Sequence, residues 1–230
     1  MLEHQRFLNE NGETMKTSFV SLFGLLIFYF YGPVLWAQEI PTRPSDVKLL
    51  QNLVNNPQAL KSQVTIVTQG GKEYCSVLGD YHGVFSVSVE KLSGVIGNLE
   101  AYPQIFSKVK QVLVTRSPEG VFQEQTVVLS LLGLENKSWL KNQIFTPDTR
   151  NAKSRWFQWK QVEGNGTIQE SLGYWYLEEF PLDGKVMTYL RYHTTSEIPK
   201  TVFGQEGIMG MFLEGEIKDV IFSALRAALK

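Results

Sequence analysis

The sequence predicts an α+β fold in which a curved antiparallel β-sheet wraps around a long C-terminal α-helix. Two observations predict it. Residues 109–195 read as six consecutive strands with short turns between them, the pattern of an antiparallel meander. Residues 205–230 read as one amphipathic helix. Since an apolar sheet face and an apolar helix stripe are both unstable in water, we expect each to be buried against the other.

The composition indicates a packed protein without a strong charge. The chain has 230 residues, 43% of them hydrophobic, and 22 Lys plus Arg against 23 Asp plus Glu. Such a balanced surface gives no electrostatic reason for binding nucleic acid. Cys75 is the only cysteine, so no intramolecular disulfide forms, and we expect Cys75 to be a small buried residue. We expect a monomer.

The first 37 residues have the pattern of an export signal. Lys16 precedes an apolar run over residues 19–31, and the small residue Ala37 follows a few positions later. The run is shorter than the roughly 20 residues that a membrane-spanning helix needs. We therefore expect residues 1–37 to be a signal peptide cleaved after Ala37, with residues 1–14 upstream of the true start codon. The protein would then be periplasmic or secreted.

A short helix is expected before the sheet. Residues 38–62 form a linker, within which Val47, Leu50 and Leu53 have helical spacing after an N-cap candidate. This pattern predicts a peripheral helix over residues 45–53.

The first two strands are expected to form a hairpin. Residues 63–69 and 73–78 have strand composition, and Gly70-Gly71 between them is a typical hairpin turn. The glycines in residues 79–83 predict a break in the second strand, which resumes at Val84.

The pattern changes to a helical period over residues 90–99, where Leu92, Val95, Ile96 and Leu99 share one face. Tyr102-Pro103 is expected to stop this helix, and a further helical turn is expected over residues 104–108. The meander follows, and its predicted strands cover residues 109–116, 121–132, 138–145, 155–162, 168–180 and 185–195.

A group of residues around the first long helix resembles the polyketide cyclase and coenzyme-Q-binding branch of the START-like (helix-grip, SRPBCC) superfamily. The residues are Val87-Ser88-Val89, Leu92, Val95-Ile96, Asn98, Tyr102-Pro103, Ile105-Phe106 and Val109. The resemblance covers residues 63–230. Asn98 stands where that branch usually has Asp, and Ser107 where it often has Pro.

This resemblance implies a sheet that grips the C-terminal helix and leaves a cavity for a lipid, quinone or similar hydrophobic molecule. Alternation along the strands and the helix stripe give the expected lining residues. They are Phe157, Trp159, Tyr174, Tyr176, Met187, Tyr189, Arg191, Met209, Phe212 and Leu213. Ordinary core packing is an equal alternative for the aromatic residues. Arg191 is either a partner for a ligand anion or a charge at the strand end.

The sequence lacks a recognisable catalytic pattern, so we expect that the protein is not an enzyme and has neither a cofactor nor a metal site. Glu178 and Glu179 point to opposite faces of a strand, and no His, Cys and carboxylate cluster has metal-ligand spacing. The leading hypothesis is an exported, non-catalytic carrier or sensor of a hydrophobic molecule that makes transient membrane contact. Two alternatives stay open: an envelope protein-interaction module, and a cyclase- or hydrolase-like enzyme that uses Tyr189, Arg191 or His193.

Overall fold

Eight strands form one sheet, and every pair of neighbours in it is antiparallel. This computed structural model describes residues 40–131, 134–149, 151–165 and 168–230. The predicted signal peptide lies outside the described residues. The strand order is β1-β2-β8-β7-β6-β5-β4-β3, so β1 and β3 are the edges. The strands are β1 (Gln58–Gln69), β2 (Lys72–Phe85), β3 (Val109–Ser117), β4 (Gly120–Leu131), β5 (Leu134–Phe145), β6 (Ser154–Gly164), β7 (Glu170–Leu182) and β8 (Lys185–Pro199).

The helices precede the meander and end the chain. They are α1 (Val47–Asn52), α2 (Val89–Gly97), α3 (Tyr102–Ile105) and α4 (Gln205–Ala228), with a 3-10 turn at Leu99–Ala101. The Asp46 carboxylate begins α1 by accepting hydrogen bonds from the backbone N–H groups of Lys48 and Leu49. Ser88 caps α2 in the same way. No helix in the described ranges is long and apolar enough to cross a membrane.

The predicted break in the second strand is wrong, because β2 runs without interruption to Phe85. A Cβ at Gly79 would collide with Cδ1 of Ile217 on α4. The glycine therefore allows the helix to approach the strand and does not form a turn.

The predicted stop of α2 at Tyr102-Pro103 is also wrong. The helix already ends at Gly97, and Pro103 lies in the first turn of α3, where its missing N–H costs nothing. The Tyr102 hydroxyl donates a hydrogen bond of 2.8 Å to the carbonyl oxygen of Ile96. Burial raises the pKa of Tyr102, so the phenol stays a neutral donor. The Tyr-Pro pair thus joins α3 to the end of α2.

The two faces of the sheet are covered by different helices. On the face that we call the α4 face, Tyr81, Trp175 and Leu190 pack with α2 and with Ile217 and Ile221 of α4. On the opposite face, called the α1 face, buried tyrosines pack against α1. The antiparallel sheet with the C-terminal helix packed on one face confirms the predicted α+β fold class.

The N-terminal helix is part of the core and not peripheral. Leu50 and Leu53 are 1% and 0% exposed and lie in the cluster of the α1 face. The compact unit accordingly begins at Ile40, and the sheet at Gln58.

Candidate functional site

Four aromatic residues meet on the α4 face and are called the aromatic group: Phe157, Trp159, Trp175 and Tyr192. The Trp159 and Tyr192 rings are stacked with centroids 5.8 Å apart, and the Trp175 and Tyr192 centroids are 4.4 Å apart. Phe157 and Trp159 lie two residues apart on β6 and so share this face, as the sequence predicted. Three of the four, Phe157, Trp159 and Tyr192, are only half-buried.

Gly173 on β7 makes the position of Trp159 possible. A Cβ at this residue would collide with the Trp159 indole and with the carbonyl oxygen of His193. Because the glycine has no side chain, the indole lies across β7 towards Tyr192. Burial raises the pKa of Tyr192 to about 12, opposed by a hydrogen bond with Thr194, so the hydroxyl is neutral at physiological pH.

Beside the aromatic group, three amide side chains form a row across three strands. Gln123 of β4 is directly opposite Asn142 of β5, which is opposite Gln161 of β6. Gln161 is two residues from Trp159, so this amide row lies on the α4 face. Gln123 and Asn142 are each 2% exposed, and Ser138, on the same face of β5, is 0% exposed.

Four polar atoms of these residues are buried and have no hydrogen-bond partner among the described residues. They are Nε2 of Gln123, Oδ1 of Asn142, Oγ of Ser138 and Oε1 of Gln161. A buried polar atom without a partner costs roughly 1–3 kcal/mol, and most such atoms in folded proteins are paired. The three amide atoms, which lie side by side across β4, β5 and β6, are therefore a candidate site for a polar ligand group.

The helix α4 covers the α4 face unevenly. Its C-terminal half is buried through Ile217, Ile221, Ala224, Leu225 and Ala228. In its N-terminal half, Leu213 packs against the cluster, and the half-buried Met209 contacts the Gln205 amide through its sulfur. Phe212, which was predicted to line the cavity, is 52% exposed and points mainly to solvent.

Five other predicted lining residues lie on the α1 face, so their prediction as residues lining a space under α4 is corrected. Tyr174, Tyr176, Met187 and Tyr189 are buried together with Leu50 and Leu53. Arg191 also lies on that face, because it pairs with Tyr176 in the β7–β8 register.

The α4 face of these strands instead carries Trp175, Leu177, Leu190 and Tyr192. Both faces of β7 and β8 are rich in aromatic residues, so alternation alone did not distinguish them. The signal that was missed is the register between β6 and β7, in which Phe157 is opposite Trp175.

Arg191 is held by an acidic partner on the α1 face. Its Nε and Nη2 donate to the two oxygens of Asp80 at 2.9 and 2.6 Å. His193 Nδ1 lies 3.3 Å from the same carboxylate, and the His193 ring stacks on Tyr174. Although burial acts to raise the pKa of Asp80, the hydrogen bonds with Arg191 and His193 lower it to about 2. The guanidinium is thus already paired and does not wait for a ligand anion.

The other candidate catalytic residues belong to the same cluster. The Tyr189 hydroxyl and His82 Nδ1 are 3.2 Å apart, and burial lowers the pKa of His82. Tyr189, Arg191 and His193, the residues of the enzyme hypothesis, therefore share the α1 face and lie on the side of the sheet opposite the aromatic group. Within the described part of the chain, no three His, Cys, Asp or Glu residues are placed to hold a metal ion.

Among the described residues, a cavity opens at each end of β6. One, of about 380 Å³, is lined by the β5–β6 connection and includes Pro147, Trp156 and Phe157. The other, of about 140 Å³, is lined by Gln161, Gly164 and Ile168 among others. No residue of α4 lines either cavity. The smaller one reaches the amide row through Gln161.

Comparison with known proteins gave similarity to solved structures only, since no family model and no curated protein sequence matches the chain. A START superfamily protein from Mycobacterium smegmatis is 18% identical with a TM-score of 0.47, over 64% of this chain and 93% of that one. The Zhui aromatase/cyclase from Streptomyces sp. R1128 is 16% identical with a TM-score of 0.44, over 67% and 92%. A STAR-related lipid transfer protein from Xanthomonas axonopodis is 8% identical with a TM-score of 0.48, over 73% and 99%.

Proposed function

We propose that this protein is an exported, non-catalytic binder of a hydrophobic small molecule, such as a lipid or a quinone, and that the ligand lies on the α4 face. The observation that supports this most directly is that aromatic side chains are partly exposed on one face of the sheet and buried on the other. Phe157, Trp159 and Tyr192 keep accessible surface on the α4 face, whereas Tyr174, Tyr176 and Tyr189 are closed off under α1. Apolar pockets with a few polar groups are the usual sites for such ligands.

The lining residues proposed for the ligand follow from this placement. They are Phe157 and Trp159 of β6, Trp175 of β7, Tyr192 of β8, and Met209 and Leu213 of α4. Their side chains are aromatic or apolar, which suits a hydrophobic molecule. An enzymatic role has less support, because His82, His193 and the paired Asp80 and Arg191 lie on the opposite face.

Export is proposed from the sequence of residues 15–37 alone. Expression of the full chain in a bacterium and sequencing of its N-terminus test this part. The proposal expects a chain that begins at Gln38 in the secreted or periplasmic fraction. Full-length protein retained in the cytoplasm would overturn it.

Native mass spectrometry and titration with 1-dodecanol test ligand binding. We expect a co-purified hydrophobe, or one molecule of the alcohol bound per chain. Trp159→Ala is expected to weaken binding about tenfold or more, since it removes a stacked aromatic wall. The matched change Trp156→Ala, on the α1 face, is expected to leave the dissociation constant unchanged. A folded protein that neither contains nor takes up a hydrophobe contradicts the proposal.

A protein-interaction role is the second candidate, favoured by exposed apolar residues at the start of α4. Val202, Phe203, Met211 and Phe212 are 53%, 100%, 74% and 52% exposed. Exposed apolar groups of this kind mark interaction surfaces in many proteins. Pull-down from an envelope fraction distinguishes the candidates: a specific partner lost in Phe203→Ser/Phe212→Ser favours this role, particularly if 1-dodecanol does not bind.

A further inference from the structure

The unpaired atoms of the amide row define a hydrogen-bonding pattern. The Nε2 group of Gln161 donates to the carbonyl oxygen of Ile168 at 2.9 Å, which fixes its amide orientation and leaves Oε1 as an acceptor. Oδ1 of Asn142 is a second free acceptor, and Nε2 of Gln123 is a free donor. Ser138 lies four residues from Asn142 along β5, about 13 Å, and is too far away to share the same head group. A partner for this set must therefore both donate and accept hydrogen bonds.

From this pattern we infer that the ligand carries an uncharged polar head group, of the alcohol or amide class, which hydrogen-bonds to the amide row. The inference rests on the proposed function and deepens it. Alcohols and primary amides have both a donor and an acceptor. An ionised carboxylate has acceptors only, so it cannot pair with Asn142 Oδ1 or Gln161 Oε1.

The charges near the row also favour a neutral head group. On β4 and β5, Glu124 and Lys141 alternate with the row and therefore point to the other face, where they pair with each other at 3.7 Å. The row's neighbours on its own face include Val114, opposite Gln123, and Ile144, opposite Trp159. Arg116, two residues from Val114 on β3, shares this face, but it is 58% exposed and pairs with Glu100 at 2.7 Å. A carboxylate buried at the row would therefore lose its hydration without gaining an unpaired cation, which is strongly unfavourable.

The position of the row next to the aromatic group gives the ligand a direction. Two residues along a strand span about 7 Å, so a head group at Gln161 places the adjoining apolar part on Trp159. The cavity of about 140 Å³ that Gln161 lines with Ile168 provides space beside the row.

Displacement of Nile red by four twelve-carbon probes at pH 8 tests the inference. The probes are 1-dodecanol, dodecanamide, dodecanoate and dodecane. We expect the alcohol and the amide to reach half-displacement at concentrations at least tenfold lower than dodecanoate, and lower than dodecane. Equal or better displacement by dodecanoate overturns the head-group inference but leaves the proposed function in place. If Nile red does not bind and no probe binds, the proposed function itself fails.

Variants assign the preference to the row. In Gln123→Leu/Asn142→Leu, the ratio of the half-displacement concentration of dodecanoate to that of 1-dodecanol is expected to fall from at least tenfold to within about threefold. Gln143→Leu, which changes a half-buried amide on the opposite face, is expected to keep the wild-type ratio. Asn142→Ala serves as the second test if the double variant does not fold, with an expected decrease of the ratio of about threefold. An unchanged ratio in folded variants of the row overturns the assignment.

Discussion

The two faces of one sheet differ in how completely their polar and aromatic groups are satisfied. On the α1 face, Asp80 and Arg191 are paired, and the tyrosines are buried under Leu50 and Leu53. On the α4 face, three aromatic side chains keep accessible surface. Five buried polar atoms on this face, including the Tyr81 hydroxyl, have no partner in the described chain, while Nε1 of Trp156 is such an atom on the α1 face. The same strands thus carry one face that is closed by paired and buried groups and one face with accessible aromatic surface and unpaired polar atoms.

The N-terminal segment explains why the α1 face is closed. Arg43 reaches the Glu178 carboxylate at 3.3 Å and lies over the Phe180 ring, and the Tyr176 hydroxyl donates to the same carboxylate. Together with α1, these contacts hold the segment on the sheet. Substitutions on the α1 face should therefore change stability and leave hydrophobe binding unchanged, and those at the binding residues of the α4 face should change binding.

The largest expected effect is on the α1 face. Leu53→Ala creates a cavity at a side chain with 0% exposure and should lower the free energy of unfolding by about 2–5 kcal/mol. Urea unfolding measures this loss. Val47→Ala on the same helix, at a 54% exposed position, is the matched control and should have little effect. A folded Leu53→Ala protein with weakened hydrophobe binding would contradict the claim that the α1 face stabilises the fold without affecting binding.

Gly173→Ala should be the next most damaging change. The added Cβ meets the backbone oxygen of His193, which cannot move easily, as well as the Trp159 ring. Overpacking of this kind costs about 3 kcal/mol, and we expect the displaced indole to change the tryptophan emission spectrum. Thermal unfolding and fluorescence are the measurements. Wild-type stability in this variant would show that Trp159 does not lie across β7.

The Asp80–Arg191 pair should make stability depend on acid. The pKa of Asp80 is lowered from 3.8 to about 2. The ionised carboxylate therefore contributes its full share to the free energy of unfolding above about pH 4, and this share is lost as the pH falls towards 2. Asp80→Asn should cost about 2 kcal/mol at pH 7. The difference from the wild type should disappear near pH 2. Asp219→Asn, at an exposed pair, is the control, and a pH-independent difference for Asp80→Asn would contradict the account.

The smallest expected effect has the opposite sign. Gly215 lies in α4 with nothing within 4 Å of a Cβ placed on it, so Gly215→Ala should stabilise the protein by about 0.5–1 kcal/mol. Its contrast with Gly173 separates a glycine that packing requires from one that it does not. A lower free energy of unfolding in urea would mean that a Cβ at Gly215 meets a neighbouring group.

The strands and turns could be predicted from the sequence, because local patterns encode them. Turn residues such as Asp183-Gly184, with positive φ at both positions, identify hairpins directly. The continuous β2 could not be predicted, since Gly79 is explained only by its contact with Ile217, a residue distant in the sequence.

The candidate site was predicted only in part for a similar reason. Phe157 and Trp159 were placed correctly on the α4 face, but both faces of β7 and β8 alternate with aromatic residues. The amide row was missed because Gln and Asn on a strand indicate a solvent-facing side. Only the register across β4, β5 and β6 brings Gln123, Asn142 and Gln161 together.

The central claim, that the hydrophobe lies on the α4 face, is tested most directly by fluorescence quenching with a brominated twelve-carbon alcohol. Trp159 and Trp175 lie on the α4 face, and Trp139 and Trp156 on the other. If the hydrophobe lies on the α4 face, Trp139→Phe/Trp156→Phe keeps saturable quenching and Trp159→Phe/Trp175→Phe loses it. Quenching that survives in the second variant and disappears in the first would contradict the account.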